Sequence, residues 1–431
     1  MHLVIEPTLR IHQIVAMARH SGAMKTEAHI QVERISAARP ALNIAVVTET
    51  YPPDINGVAH TLSKIVEGLR ARGHVIWLVR PRQPGATLAD SRTGFQELLV
   101  RGLPIPFYRQ LRLGLPAKRE LLRLWALHRP DIVHIATEGP LGWSALQAAR
   151  KLKLPISTDF RTNFHAYSHH YGIGWLRGAI LAYMKKFHNA AQATMVPTAQ
   201  LQDELAASGF QRLAVVPRGI DTDLFCPTQR SASLRSSWGA DEHTRVLLYV
   251  GRLAVEKNLG LVIEAYRALK LQHPDIKLVL VGDGPMRAEL QQKHTDIVFA
   301  GFRVGEDLAQ HYASADLFAF ASKTETFGNV TIEAMASGLA VVAFRHAAAG
   351  ELITSGENGM LADPRHDHSF EDAAAVLLNN ATLMRAMGAK AAASARALGW
   401  PAVVEQTESV FAKVLLEHGT PYARNMVEQP A

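Results

Sequence analysis

The chain has 431 residues, 48% of them hydrophobic and 20% charged, which is apolar material for two globular domains of about 150 to 200 residues each and excludes wholesale disorder. Lys and Arg number 46 against 39 Asp and Glu, a net charge of +7, and this balance favours anionic partners such as phosphates and lipid head groups. The lone cysteine, Cys226, excludes an internal disulfide framework, so a cytoplasmic location is the expectation.

Glu6, Arg10, His12, Arg19 and Lys25 interrupt any apolar run of signal-peptide or membrane-spanning length near the start. Residues 1–40 are therefore expected to be a poorly ordered extension, with Met24 an alternative start. The first strong strand signal is Asn43 to Thr48, followed by Leu62, Ile65, Val66 and Leu69 at helical spacing and by Gly73 as a helix stop. Further apolar runs at His74 to Val79, Asp131 to Ile135, Leu154 to Thr158, Ala193 to Pro197 and Leu213 to Val216 read as buried strands with helices between them. Such alternation implies right-handed crossovers and a parallel sheet covered on both faces, here a first domain over 41–225.

From Arg218 to Trp238 the pattern lapses into polar residues with Pro227 and several serines, the composition of a linker. A second alternating series then sets out a domain over 240–400, with strands at Arg245 to Val250, Lys277 to Val281, Ile297 to Phe299, Asp316 to Ala321 and Ala340 to Phe344. After Trp400-Pro401 a last helix carries Val403, Val404, Val410, Phe411 and Val414 on one face, and a tail completes 401–431. The fold class is α/β, with two doubly wound parallel-sheet domains facing across a cleft, and ligands are expected at the carboxyl ends of the strands.

The strand ends carry the chemistry. Glu325-Thr-Phe-Gly-Asn-Val-Thr-Ile-Glu333 follows the strand Asp316 to Ala321 and runs into a helix. A helix start near Gly328 or Asn329 would leave the amides of Asn329, Val330 and Thr331 open to a phosphate, with Glu333 in the first turn and Glu325 in the preceding loop. Carboxylates so placed accept hydrogen bonds from sugar hydroxyls; the plainer alternative is a dipole-complementing Glu333 and a solvated Glu325. Gly251-Arg252-Leu-Ala-Val-Glu256-Lys257-Asn258 follows the strand ending at Val250, and its two cations suit a diphosphate unless Arg252 simply pairs with Glu256. Gly282-Asp283-Gly284-Pro285 supplies a turn that brings backbone near the cleft. In the first domain the loop from Thr48 ends in Asn56-Gly57-Val58, where Gly57 permits close approach. No G-x-G-x-x-G is present at this connection, which argues against a nicotinamide dehydrogenase.

Taken together, Asn56-Gly57-Val58, the Gly-Arg-x-x-x-Glu-Lys-Asn run, Gly-Asp-Gly-Pro and the glutamate pair resemble the retaining GT-B glycosyltransferases of family four, in the same order over about residues 43 to 415. The resemblance implies two Rossmann-like domains and a nucleotide-sugar donor. Arg252 and Lys257 would hold its diphosphate, Gly57 would let the first domain's loop approach, Glu325 would contact the transferred sugar and Glu333 the ribose. The backbone near Phe302, Arg303 and Val304 would receive the base, with Gly282 beside the site, and the last helix would cross back onto the first domain. Many relatives carry a Phe-His-Thr run where this chain has Phe160-Arg161-Thr162, so Arg161 and His165 both stand as candidates on the catalytic side. The stretch Asp159 to Tyr167 resembles a subgroup of GDP-mannose-dependent mannosyltransferases acting on glycolipids, which favours GDP-mannose as donor and a glycolipid or glycan acceptor.

No metal is expected, since cations and amides already face the leaving group and no Asp-x-Asp motif lies near it; His165 and His169 stand at i, i+4 without a carboxylate pattern. Arg101 to Arg129 and Trp175 to Phe187 mix basic and apolar residues and are read as amphipathic helices that either pack on the sheet or face an anionic membrane surface on the cytoplasmic side. A nucleic-acid partner is not expected, because the best-placed cations sit beside glutamates that would repel a polyanion. The alternatives are a UDP-sugar-dependent glycolipid enzyme, an epimerase or hydrolase with the same donor site, and a non-catalytic anion-binding module.

Overall fold

The computed structural model describes residues 41–54, 56–83, 89–105, 108–161, 177–325, 327–366 and 368–419. The extension 1–40, the tail 420–431, His165, His169 and Trp175 lie outside the described residues.

The chain begins with β1 (Asn43–Val47), α1 (Gly57–Ala71), β2 (Val75–Pro81), β3 (Ser91–Arg92), β4 (Phe95–Val100), β5 (Gly102–Ile105), β6 (Tyr108–Gly114), α2 (Lys118–Leu127), β7 (Ile132–Ile135), α3 (Pro140–Lys151) and β8 (Ile156–Asp159). It continues through α4 (Arg177–His188), β9 (Ala193–Val196), α5 (Ala199–Ala207), β10 (Leu213–Val215) and α6 (Ala232–Ser237). The later half comprises β11 (Val246–Val250), α7 (Leu259–Gln272), β12 (Lys277–Val281), α8 (Arg287–Lys293), β13 (Val298–Gly301), α9 (Gly305–Ser314), β14 (Leu317–Phe320) and α10 (Asn329–Ala336). It ends with β15 (Ala340–Phe344), α11 (Ala347–Leu352), β16 (Met360–Ala362), α12 (His368–Leu378), α13 (Ala381–Arg396) and α14 (Trp400–Glu417).

Two sheets result. The first has the order β10-β9-β8-β7-β1-β2-β4-β3 and is parallel except for the short edge strand β3, and the second has the order β13-β12-β11-β14-β15-β16 and is parallel throughout. Near-continuous apolar strands such as Val246–Val250 and Ala340–Phe344 are buried along their whole length, as a sheet covered on both faces requires. The strand order reverses at β1, between β2 and β7, and at β11, between β12 and β14. Doubly wound sheets open a crevice at such switch points, so the loops leaving β1, β11 and β14 are the ones placed to meet a ligand.

Helix α14 packs on the first sheet, not the second: Val403, Val404, Phe411, Val414 and Leu415 join Ile44, Leu62, Ile76 and Ile132 in one core. A Cβ on Gly68 of α1 would lie 2.4 Å from Val404 Cγ2, so the glycine lets the two helices touch. Glu408, buried on α14, closes the contact with His74 Nε2 at 2.7 Å and Arg72 Nη2 at 2.7 Å.

Two expectations are corrected. Among the described residues, Gly102–Ile105 and Tyr108–Gly114 pair as the antiparallel strands β5 and β6, and the helix is confined to Lys118–Leu127; Pro104, Pro106, Gly114 and Pro116 in the sequence oppose a continuous helix over this stretch. The segment from Arg218 to Trp238 is not a bare linker: Phe225 and Trp238 are buried in the second core, and buried Arg235 donates to the carbonyls of Asp241, Thr244 and Ser314.

Candidate active site

The loop after β11 is tied to the loop after β14. A single 3-10 turn, Val255–Lys257, precedes α7. Lys257 Nζ donates to Glu325 Oε1, and Thr324 Oγ1 donates to the Glu256 carbonyl at 3.1 Å. Arg252 Nη1 lies 3.5 Å from Glu256 Oε1, so the pairing that the sequence left as an alternative is made. Both cations thus rest against carboxylates, a neutral arrangement that an arriving polyanion can re-pair. His346 Nε2 donates to the Glu325 carbonyl at 3.1 Å and steadies the loop from below.

The turn at Gly282 packs directly on the Arg252 loop. The φ of Gly282 is +137°, and a Cβ there would lie 1.9 Å from the Gly251 carbonyl oxygen, so this turn supports the Arg252 loop from behind. Leu253 N donates to the Asp283 carbonyl at 3.0 Å, which fixes the same contact from the other side.

Helix α10 starts at Asn329 after Gly328, which holds φ +89°. The amides of Asn329 and Val330 take no partner among the described residues, whereas the Thr331 amide donates to the Gly328 carbonyl at 3.0 Å. Two amides, not three, are therefore presented. Glu333 is the fifth helical residue, past the first turn. It is half-buried and accepts a hydrogen bond from Tyr312 Oη at 2.8 Å. Burial pushes its carboxyl from an ordinary 4.5 up to about 7, against the opposing effect of the tyrosine.

At the end of β13, Arg303 Nε donates to the Ala300 carbonyl at 2.9 Å and its Nη1 to Asp307 at 2.9 Å. The flanking Phe302 and Val304 are exposed, 57% and 59%, and offer an apolar edge to a flat ring.

On the first domain's side, Asn56 caps α1 by accepting from Val58 N at 3.1 Å and Ala59 N at 2.9 Å, and Gly57 is the first helical residue. A Cβ on Gly57 would lie 3.2 Å from Arg218 Nη1 and 4.0 Å from Asn329 Nδ2. The glycine thus brings the start of α1 up to the start of α10. Arg161, buried just after β8, donates from Nε to Asp159 Oδ2 at 2.5 Å, and His134 Nε2 stands 3.1 Å from the same oxygen. Burial acts to raise the Asp159 carboxyl, but Arg161 and His134 outweigh it and hold it well below the usual carboxylate range.

Two charged residues at these strand ends were missed from the sequence. Arg218 sits in Pro217-Arg218-Gly219 after β10 and is buried between Gly57, Arg161 and Asn329; its signal was a strand-end position inside a stretch read as linker. Glu49 follows β1 and accepts from the amides of Leu141, at 3.0 Å, and Gly114. Burial raises its carboxyl to about 7 despite those bonds. Among the described residues no three His, Cys, Asp or Glu side chains cluster to hold a metal ion, and no helix is long and apolar enough to cross a membrane.

Strand-end loops of two doubly wound sheets meeting over a cation pair and a helix N-terminus define a GT-B architecture. Residues 55–224 match the family model "Glycosyltransferase Family 4" and residues 244–380 match "Glycosyl transferases group 1". A Mycobacterium tuberculosis protein named GDP-mannose-dependent alpha-mannosyltransferase is 33% identical over 368 residues, covering 85% of this chain and 95% of its own. A Corynebacterium glutamicum protein of the same name is 34% identical over 328 residues, covering 75% and 77%. The solved structure of sucrose-phosphate synthase from Thermosynechococcus elongatus superposes with a TM-score of 0.70 at 18% identity, covering 87% of this chain and 100% of that one. The chain belongs to glycosyltransferase family 4, and it is a glycosyltransferase.

Proposed function

We propose that the protein transfers a mannosyl group from GDP-mannose to a hydroxyl of a glycolipid or glycan, with retention of anomeric configuration. The observation that carries the reading is the Lys257–Glu325 pair lying in the same loop system as the α10 N-terminus, across from Gly57. The two relatives named GDP-mannose-dependent alpha-mannosyltransferase support the choice of donor.

In this reading a diphosphate takes Lys257 and Arg252 from their carboxylates and accepts hydrogen bonds from the Asn329 and Val330 amides. Glu325, released from Lys257, then accepts from the sugar hydroxyls, and Glu333 from the ribose. The C1–O bond to the diphosphate breaks with its electron pair leaving on the phosphate oxygen. The acceptor oxygen bonds to C1 on the same face, and the acceptor proton passes to the departing diphosphate. Cations and amides fixed in place before the reaction stabilise the growing charge, which is the kind of preorganisation that dominates many rate enhancements.

The acceptor side carries an exposed apolar and basic surface. Leu103, Leu113, Leu115 and Leu127 are exposed on β5-β6 and α2 and their flanks, along with Arg101, Arg119 and Arg123, and such a face suits an anionic lipid surface. Co-sedimentation with phosphatidylglycerol vesicles should occur and weaken with salt; binding that is absent or indifferent to salt refutes this part.

The test of the whole reading is transfer from GDP-mannose, compared with UDP-glucose, to a lipid extract, with products followed by mass spectrometry. Glu325→Ala and Lys257→Ala should each abolish transfer while leaving the unfolding transition in place. Near-wild-type turnover in either variant contradicts the assignment. Free sugar released at full rate without an acceptor would favour a hydrolase.

A further inference from the structure

We infer that Arg218 is a third cationic ligand of the donor's diphosphate, supplied by the segment that joins the two domains. The inference rests on the donor site proposed above and adds to it a residue outside the Arg252–Lys257 loop.

Arg218 is 7% exposed. Its Nη1 donates to Asn329 Oδ1 at 3.2 Å and its Nη2 reaches the Arg161 carbonyl at 3.5 Å, while its buried Nε takes no partner among the described residues. The guanidinium lies 5.8 Å from the centre of the Phe327 ring, in the loop that leads into α10. Each other cation here has its carboxylate: Lys257 has Glu325, Arg252 has Glu256, and Arg161 has Asp159. Arg218 makes no ion pair among the described residues. Burial and the like charge of Arg161 lower its pKa to about 10, with Glu325 and Asp159 acting in the opposite direction, so it remains a cation at neutral pH.

A buried guanidinium with an unused donor and no direct ion pair among the described residues, only the more distant charges of Glu325 and Asp159, is a costly arrangement unless an anion completes it. Its surroundings favour one. Arg218 Nη1 lies 3.2 Å from where a Cβ would sit on Gly57, the first residue of α1, and hydrogen-bonds Asn329, the first residue of α10. Two helix N-termini therefore flank it, each with a positive dipole end. The same α10 terminus presents the amides assigned to the diphosphate, which selects the donor's phosphates over a phosphate on the acceptor. Planar, two-pronged hydrogen bonding to phosphate oxygens is what arginine offers and lysine does not. Because Arg218 belongs to the connecting segment Pro217-Arg218-Gly219, a diphosphate held by it is tied to the segment joining the two domains.

The test is calorimetric titration of GDP, UDP and GMP into the full chain and into Arg218→Gln, Arg218→Lys and Lys257→Ala. Arg218→Gln should weaken GDP binding tenfold or more and GMP binding by less than threefold. Arg218→Lys, which keeps the charge and guards against a folding defect, should weaken GDP at least threefold. Unchanged GDP affinity in either Arg218 variant, or an equal loss for GDP and GMP, overturns the inference. If Lys257→Ala loses GDP while Arg218→Gln keeps it, only the Arg218 role falls and the donor site stands. A raised KM for a phosphate-bearing lipid acceptor in Arg218→Gln, with GDP binding intact, assigns the residue to the acceptor and also overturns it. Wild-type protein that binds neither GDP nor UDP overturns the donor site and this inference together.

Discussion

Lys257 and Glu325 neutralise one another across two loops that belong to different strands, and Glu333 is pushed to about 7 by burial on the helix that follows. The second fact gives a pH dependence with a definite sign. Between about 4.5 and about 7 the folded protein keeps a proton on Glu333 that the unfolded chain releases, so this group's contribution to stability falls as pH rises through that window. A ribose hydroxyl donates best to the ionised form. Nucleotide affinity should therefore rise as pH increases through about 7, and Glu333→Gln should remove that rise; a flat wild-type profile in titrations from acid to alkaline buffer contradicts the role. Arg252, Lys257 and Glu325 stand out in the sequence as candidates because each lies just beyond an apolar strand, where ligands collect in such folds, and the structure places them on adjoining loops. Arg218 does not, because its burial depends on Gly57 and Asn329, both distant in sequence, closing over it. The protonation of Glu333 was hidden for the same reason, since it depends on the walls that bury the carboxyl and on Tyr312 from another helix.

At the scale of elements, the strand-end loops hold their shape through backbone packed on backbone. Gly282 presses on the Gly251 carbonyl with no room for a methyl group, and no side-chain rotation relieves a clash of that kind. Gly282→Ala should destabilise the protein by about 1–3 kcal/mol in urea unfolding and should also weaken GDP binding by displacing Arg252. Wild-type stability and affinity would show that the turn has slack. The parallel strands of both sheets were readable as continuous apolar runs, and Lys277–Val281 and Ala340–Phe344 agree to the residue. The antiparallel pairing of β5 with β6 was not, because basic and apolar residues alternate there in a pattern that an amphipathic helix also shows, and only the prolines of the stretch speak against one. Strand β4, half-exposed beside the edge of the first sheet, lacks the continuous apolar run that marks a central strand.

At the scale of the whole molecule, the end of the chain completes its beginning. Helix α14 follows directly on the second domain's last helix, yet its apolar face is built into the first domain's core. Ile220 N donates to the Leu398 carbonyl at 3.0 Å, so the two stretches that join the domains run side by side. Phe411, fully buried on α14, should cost about 3–5 kcal/mol on replacement by alanine while GDP affinity of the folded protein stays near wild type. A loss of affinity without loss of stability would mean that the helix acts on the site instead. The net charge of +7 points to anionic partners without naming a place for them; the proposed place emerges only when the sheets bring the loops of Arg252 and Lys257 and the start of α10 together.

The most direct test is a crystal structure of the complex with GDP. The diphosphate should lie within hydrogen-bonding distance of Arg252, Lys257 and the amides of Asn329 and Val330, with Glu325 parted from Lys257 and facing the position of the sugar. A nucleotide seated elsewhere, such as the cavity of about 530 Å³ beside Arg72 and Trp400, with Lys257 still paired to Glu325, would contradict the account.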